Sequence, residues 1–234
     1  MVESIINIFF PRVCPICGKI ISGGEDICRQ CEKNISIIRE PKCQKCGKPM
    51  RGADKIYCRD CQERERAFDR GIAVFEHKGK IKESIYRFKY DNNRNNVAYY
   101  GRTAIAIYAR QIREWKIDAI VPVPIHKKRE RKRGYNQASV FAEELARRTG
   151  IALKKNIIIR KKNTMPQKDL NREMRTQNLK YAFAVDCGKI KEIENVLLVD
   201  DIFTTGSTAE ACSRILKKAG VKHVYVLCIS AGED

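Results

Sequence analysis

The stretch Val196-Leu-Leu-Val-Asp-Asp-Ile-Phe-Thr-Thr-Gly-Ser-Thr208 decides how the rest of this 234-residue chain is read. Val196 to Val199 predicts a short buried strand. Two acids follow, and then a loop of small residues opens into a helix predicted over Ser207 to Ala219. Ser207 is its expected cap, Glu210 stands three residues on, and Gly220 ends it. The loop Thr204 to Thr208 offers backbone N–H groups, hydroxyls and a helix N-terminus to a phosphate, with no bulky side chain to hold the ligand away. Asp200 and Asp201 would be repelled by that phosphate, so they are expected to accept hydrogen bonds from sugar hydroxyls, with a magnesium ion nearby. Ribose 5-phosphate meets both demands. The plainer alternative is an ordinary strand-to-helix turn carrying two surface acids.

Outward from this point, strands and helices alternate. Gly71 to Phe75 reads as a strand, Val97 to Ile112 as a helix, and Ile117 to Val123 as a buried strand closed by Pro122 and Pro124. Gln137 to Thr149 has Ala138, Phe141, Ala142, Leu145 and Ala146 on one face and stops at Gly150. Ile157 to Ile159 and Val224 to Ile229 complete the strands. This order predicts an α/β fold, a mostly parallel sheet flanked by helices, with ligands beyond the carboxyl ends of the strands. At 43% apolar content the chain has enough material for one full core and a smaller appendage.

That appendage is legible in the cysteines. Eight of eleven form four CxxC pairs: Cys14/Cys17, Cys28/Cys31, Cys43/Cys46 and Cys58/Cys61. Two such knuckles put four sulfurs on one ion at about 2.3 Å, and a unit this small needs metal to hold a fold. Two consecutive ribbons, each with one structural zinc, are expected over residues 1–66, ahead of a main domain over 67–234. A cross-braced pairing and an iron–sulfur cluster are the alternatives. Cys212 and Cys228 sit in apolar settings and read as core filler. Lys42, Lys45, Lys48 and Arg51 are placed to contact phosphates or simply to pack. The apolar stretch Ile5 to Phe10, interrupted by Asn7, is too short to span a bilayer and lacks a basic leader. No membrane insertion and a cytoplasmic location are expected.

The net charge is +19, of which +4 lies in residues 1–66 and +15 in 67–234. Zinc–thiolate sites of about −2 each would bring the first region near neutrality, so the basic excess belongs to the body and implies an anionic partner, polyphosphate or nucleic acid. Part of that excess is concentrated in Val121-Pro-Val-Pro-Ile-His-Lys-Lys-Arg-Glu-Arg-Lys-Arg-Gly-Tyr-Asn-Gln137, with six basic residues in positions 127 to 133. A third polar segment, Arg160 to Asn178, has the character of a hood that closes over a ligand.

The first quoted stretch resembles the phosphoribosyl pyrophosphate (PRPP) motif of type I phosphoribosyltransferases. There, adjacent acids bind the ribose hydroxyls and a TxxGxT-like loop holds the 5-phosphate. The resemblance implies PRPP binding by Asp200, Asp201, Thr204, Thr205, Gly206, Ser207 and Thr208, with Asp200 and Asp201 also catalytic. It implies a pyrophosphate loop carrying Lys127, Lys128, Arg131 and Arg133, and hood residues Gln167 and Arg175. The CxxC module, the VPVP strand end with RGYNQ, the Thr164/Gln167/Leu170/Arg175/Asn178 pattern and VDDIFTTGST together resemble the ComF family of competence proteins. Tyr135 stands where that family often has phenylalanine. This resemblance implies a cytoplasmic role in natural transformation, assisting incoming single-stranded DNA alongside competence-machinery proteins. Lys/Arg-rich loops beside Tyr135, together with the ribbons, are the expected DNA groove. The competing readings are a PRPP- and DNA-binding protein without turnover, and a salvage or amidotransferase-like phosphoribosyltransferase.

Overall fold

The computed structural model describes residues 12–21, 24–52, 54–91, 94–161, 179 and 181–233. In chain order its elements are α1 (Arg29–Asn34), α2 (Arg59–Glu63), β1 (Arg70–Glu76), α3 (Gly79–Tyr90), α4 (Asn96–Glu114), β2 (Ala119–Pro122), α5 (Lys127–Arg133), α6 (Gln137–Thr149), β3 (Ala152–Leu153), β4 (Ile158–Arg160), β5 (Phe183–Val185), β6 (Asn195–Phe203), α7 (Ser207–Lys218) and β7 (His223–Ala231). Five strands form one sheet in the order β1-β7-β6-β2-β3, every pair parallel. The expected strand at Ile157 to Ile159 is real but lies elsewhere: β4 pairs antiparallel with β5 in a separate two-stranded sheet.

Parallel strands covered on both faces are apolar throughout, and β6 illustrates this. Val196 and Leu198 belong to one buried cluster with Ala209, Cys212 and Leu216 of α7. Leu197 and Val199 belong to the other, with Phe88 of α3, Tyr100 of α4 and Phe141 of α6. Cys212 and Cys228 are fully enclosed, as expected of filler.

The ribbons share these clusters. Cys43, Cys46 and Cys58 join the α7 side, and Cys14 and Cys31 join the α3/α4/α6 side, so the two ribbons pack on opposite faces of the sheet. Between them, residues 36–38 run antiparallel along the outer edge of β1. Ile38 N donates to Val74 O at 2.9 Å and Glu76 N to Ser36 O at 2.9 Å. An exposed edge strand invites pairing with other chains, and this segment covers it.

Lys48, Lys45 and Lys42 pack against the protein, whereas Arg51 stays largely in solvent. Lys48 is buried against Asp60 at 2.9 Å, Lys45 stands 5.9 Å from the Phe68 ring centre, Lys42 stands 5.5 Å from that of Tyr108, and Arg51 pairs with Glu233. Burial of a cation requires a partner, which Asp60 supplies.

Candidate phosphosugar and zinc sites

Each ribbon gathers its four sulfurs into one cluster, Cys14/Cys17/Cys28/Cys31 and Cys43/Cys46/Cys58/Cys61, with all Sγ atoms of a cluster within 4.8 Å of one another. The consecutive pairing holds, and the cross-braced one does not. Cys17 and Cys28 Sγ lie 3.6 Å apart, as do those of Cys46 and Cys58. A tetrahedron of sulfurs about 2.3 Å from a central zinc has edges of about 3.8 Å, so the donor set fits that ion. With four thiolates per ion the sites are structural.

At the carboxyl end of the sheet, β6 runs past its four apolar residues to Phe203 and carries Asp200 and Asp201 within it. The turn that follows depends on Gly206, whose φ is +75°. A Cβ there would sit 2.5 Å from the Phe203 ring, which is buried edge-on against Phe68. Ser207 does not cap α7: Gly206 occupies that position with a left-handed backbone, and the Ser207 hydroxyl is 2.9 Å from that of Thr205. Glu210 is turned away from the helix end and accepts from Ala67 N at 2.9 Å. Arg66, buried, donates to Thr205 O at 3.1 Å. The connector after the second ribbon therefore braces the loop from behind.

The two acids differ. Asp200 accepts from Asp201 N at 2.8 Å, and burial, then the Asp201 carboxylate, push its pKa up to about 7. Asp201 is paired with Lys89 of α3 at 2.8 Å. His77, at the end of β1, is 3.0 Å from Ser230 Oγ. Burial, then the Lys89 ammonium, hold it below the ordinary imidazole range. Neither Lys89 nor His77 is singled out by the sequence, because only the assembled sheet brings α3 and the end of β1 to β6.

Asp200 gives a pH prediction. Its folded pKa is raised, so between about pH 4 and 7 the folded state holds a proton that the unfolded chain has released, and stability falls as pH rises through that window. Asp200→Asn removes that loss. We expect its melting temperature at pH 8 to exceed that of the parent by about 2–6 °C, with the gap closing toward pH 4, in scanning calorimetry across pH.

Lys127, Lys128, Arg131 and Arg133 lie not in a loop but in the seven-residue helix α5, none of whose residues is buried. The His126 side chain accepts from Lys128 N at the start, and Gly134 closes the end at φ +81°. Tyr135, expected at a DNA groove, is a core residue whose hydroxyl donates to Phe88 O. Between α5, α6 and β4 lies a cleft of about 580 Å³ lined by Pro124, Ile125, Lys127, Asn136 and Arg160. Burial, then Arg129, lower the pKa of Arg160, with Asp200 acting in the opposite direction. Gln167 and Arg175 lie outside the described residues.

The Double zinc ribbon domain family matches residues 5–62, and the Phosphoribosyl transferase domain family matches residues 101–233. Competence protein F of Haemophilus influenzae is 32% identical over 227 residues, spanning 93% of this chain and 96% of that one. The chain belongs to the ComF family. Competence protein ComFC of Bacillus subtilis is 27% identical over 208 residues, spanning 86% of this chain and 82% of its own. DNA utilization protein YhgH of Escherichia coli K12 is 25% identical over 223 residues, spanning 94% and 96%. A ComF chain thus joins a zinc-ribbon region to a phosphoribosyltransferase fold. No helix among the described residues is long and apolar enough to cross a membrane.

Proposed function

We propose that this ComF protein binds PRPP with magnesium at the β6–α7 turn and serves, in the cytoplasm, the handling of incoming single-stranded DNA together with competence-machinery proteins. The observation that supports it most is the juxtaposition at one sheet end of an anion-receptive turn and two adjacent carboxylates, Asp200 and Asp201. In this reading Thr204, Thr205, Gly206, Ser207 and Thr208 take the 5-phosphate on their N–H groups and hydroxyls, helped by the N-terminus of α7. Asp200 and Asp201 accept from the ribose hydroxyls and fix the sugar. Adjacent carboxylate oxygens at a strand end are also a donor set suited to a hard dication. Magnesium, when bound, supplies charge neutralisation to the pyrophosphate leaving group.

The reaction this favours is displacement of pyrophosphate at the anomeric carbon through an oxocarbenium-like transition state. Lys127, Lys128, Arg131 and Arg133 are assigned to the pyrophosphate from α5, and Gln167 and Arg175 to closure. Residues 1–66 and 67–234 are taken as the zinc module and the transferase domain.

Calorimetric titration of PRPP with magnesium tests the site. Asp200→Asn/Asp201→Asn is expected to weaken binding by about 100-fold or more, since charge-assisted hydrogen bonds to both hydroxyls are lost. Unchanged affinity would remove the two acids from the site. Pyrophosphate release in the same samples separates the enzyme from a binding protein that does not turn PRPP over.

A further inference from the structure

Helix α3 carries an unusual exposed pair. Tyr86 and Tyr90, one turn apart, are 60% and 48% exposed, and their ring centres lie 4.7 Å from each other. An aromatic pair left in water on a helix that buries Ile81, Ile85 and Phe88 on its other side contributes little to folding. One cation of α5 reaches it. The Arg133 guanidinium stands 5.1 Å from the Tyr90 ring centre and donates to its hydroxyl at 3.3 Å. Arg133 is the last of six basic residues on a helix with one acid, Glu130, and no buried side chain. Arg94, just beyond α3, lies over the Tyr135 ring at 4.3 Å.

Rings open to solvent, one of them under a guanidinium, bordered by a track of lysines and arginines, have the composition of a single-strand platform. Bases stack on the rings and phosphates meet the cations, without selection of sequence. A duplex keeps its bases inside and cannot use the rings. A protein partner for so basic a face would have to be acidic.

We infer that the α3–α5 face, with Tyr86 and Tyr90 as its stacking surface and the α5 cations as its phosphate track, binds single-stranded DNA. This rests on the DNA reading above and replaces the groove around Tyr135 and the ribbons. The platform adjoins the phosphosugar site, because the same last turn of α3 sends Lys89 inward to Asp201.

The test is fluorescence anisotropy of a labelled oligothymidylate and of a labelled duplex with the full zinc-loaded chain, at several salt concentrations. Tyr86→Ala/Tyr90→Ala is expected to weaken single-strand binding at least about 30-fold while leaving its salt slope unchanged. Duplex binding should change by less than about 2-fold, since no base reaches the rings. Tyr86→Phe/Tyr90→Phe, which keeps the rings, should stay within about 3-fold of the parent. Lys128→Ala/Arg131→Ala/Lys132→Ala should instead flatten the salt slope. Tight binding by the parent that survives Tyr86→Ala/Tyr90→Ala would overturn this face and leave the DNA reading standing. No oligothymidylate binding by the parent would overturn both.

Discussion

Removal of zinc is expected to unfold the sheet along with the ribbons. Cys43, Cys46 and Cys58 lie in the same buried cluster as β6 and α7, and Cys14 and Cys31 in the cluster beneath α3, α4 and α6. Four thiolates without an ion repel one another or must take up protons in a buried setting, and either state loosens both faces of the sheet. Structural zinc contributes about 10–16 kcal/mol per site in small ribbons, comparable with the whole stability of a domain at about 5–15 kcal/mol. Chelator titration followed by near-ultraviolet circular dichroism should therefore show tertiary signal lost in step with two zinc ions released. Cys46→Ser should give the same loss, whereas Cys187→Ser, at an exposed position, should not. A transferase body that melts unchanged after both ions have left would contradict the shared core.

Gly47→Ala is expected to be strongly destabilising, for a reason that involves no metal. Gly47 has φ +74°, and a Cβ there would stand 2.7 Å from both Gly71 O and Ile72 Cα, and 3.2 Å from Ala73 N. All three are backbone atoms of β1, held by its pairing with β7, so no rotamer change relieves the collision. Close approach of the knuckle is also what lets Lys45 O accept from Gly71 N at 2.8 Å. A cost of about 3 kcal/mol or more follows from the collision and the left-handed backbone together. Gly18→Ala is the matched control, since Gly18 has φ +78° but nothing within 4 Å of its Cβ. It should lose only about 1–2 kcal/mol, the backbone cost alone. Urea denaturation midpoints of the two variants measure the difference, and equal midpoints would show that β1 yields.

What the sequence disclosed and what it hid follow from the range of the interactions involved. Helix α6 is read to its last residue because an apolar stripe and Gly150 are both local signals, and Gly150 does take φ +74° there. The apolar part of β6 is equally plain, but its continuation through Asp200 to Phe203 is set by pairing with β7 and is not written in hydropathy. Helix α3 escapes notice because Ser84 stands inside its buried stripe. Its hydroxyl bonds to Pro15 O at 3.1 Å, a partner 69 residues away. The ribbon lysines look like phosphate ligands until Asp60, Phe68 and Tyr108 are placed beside them. At the β6–α7 turn the local motif was legible, whereas Lys89 and His77 arrive from separate elements and carry no local mark.

The strand order also governs how the protein can be made. β7 lies between β1 and β6, so the first strand of the sheet has no strand beside it until β7, the latest in the chain, has emerged from the ribosome. During that interval the uncovered flank of β1 and the apolar face of β6 are both open to the wrong neighbour. Residues 36–38, lying along the other edge of β1 between two ribbons that precede it in synthesis, give the waiting strand one fixed partner. The zinc module would thereby serve as a built-in escort for synthesis, and a cell short of zinc would be expected to accumulate this chain as aggregate.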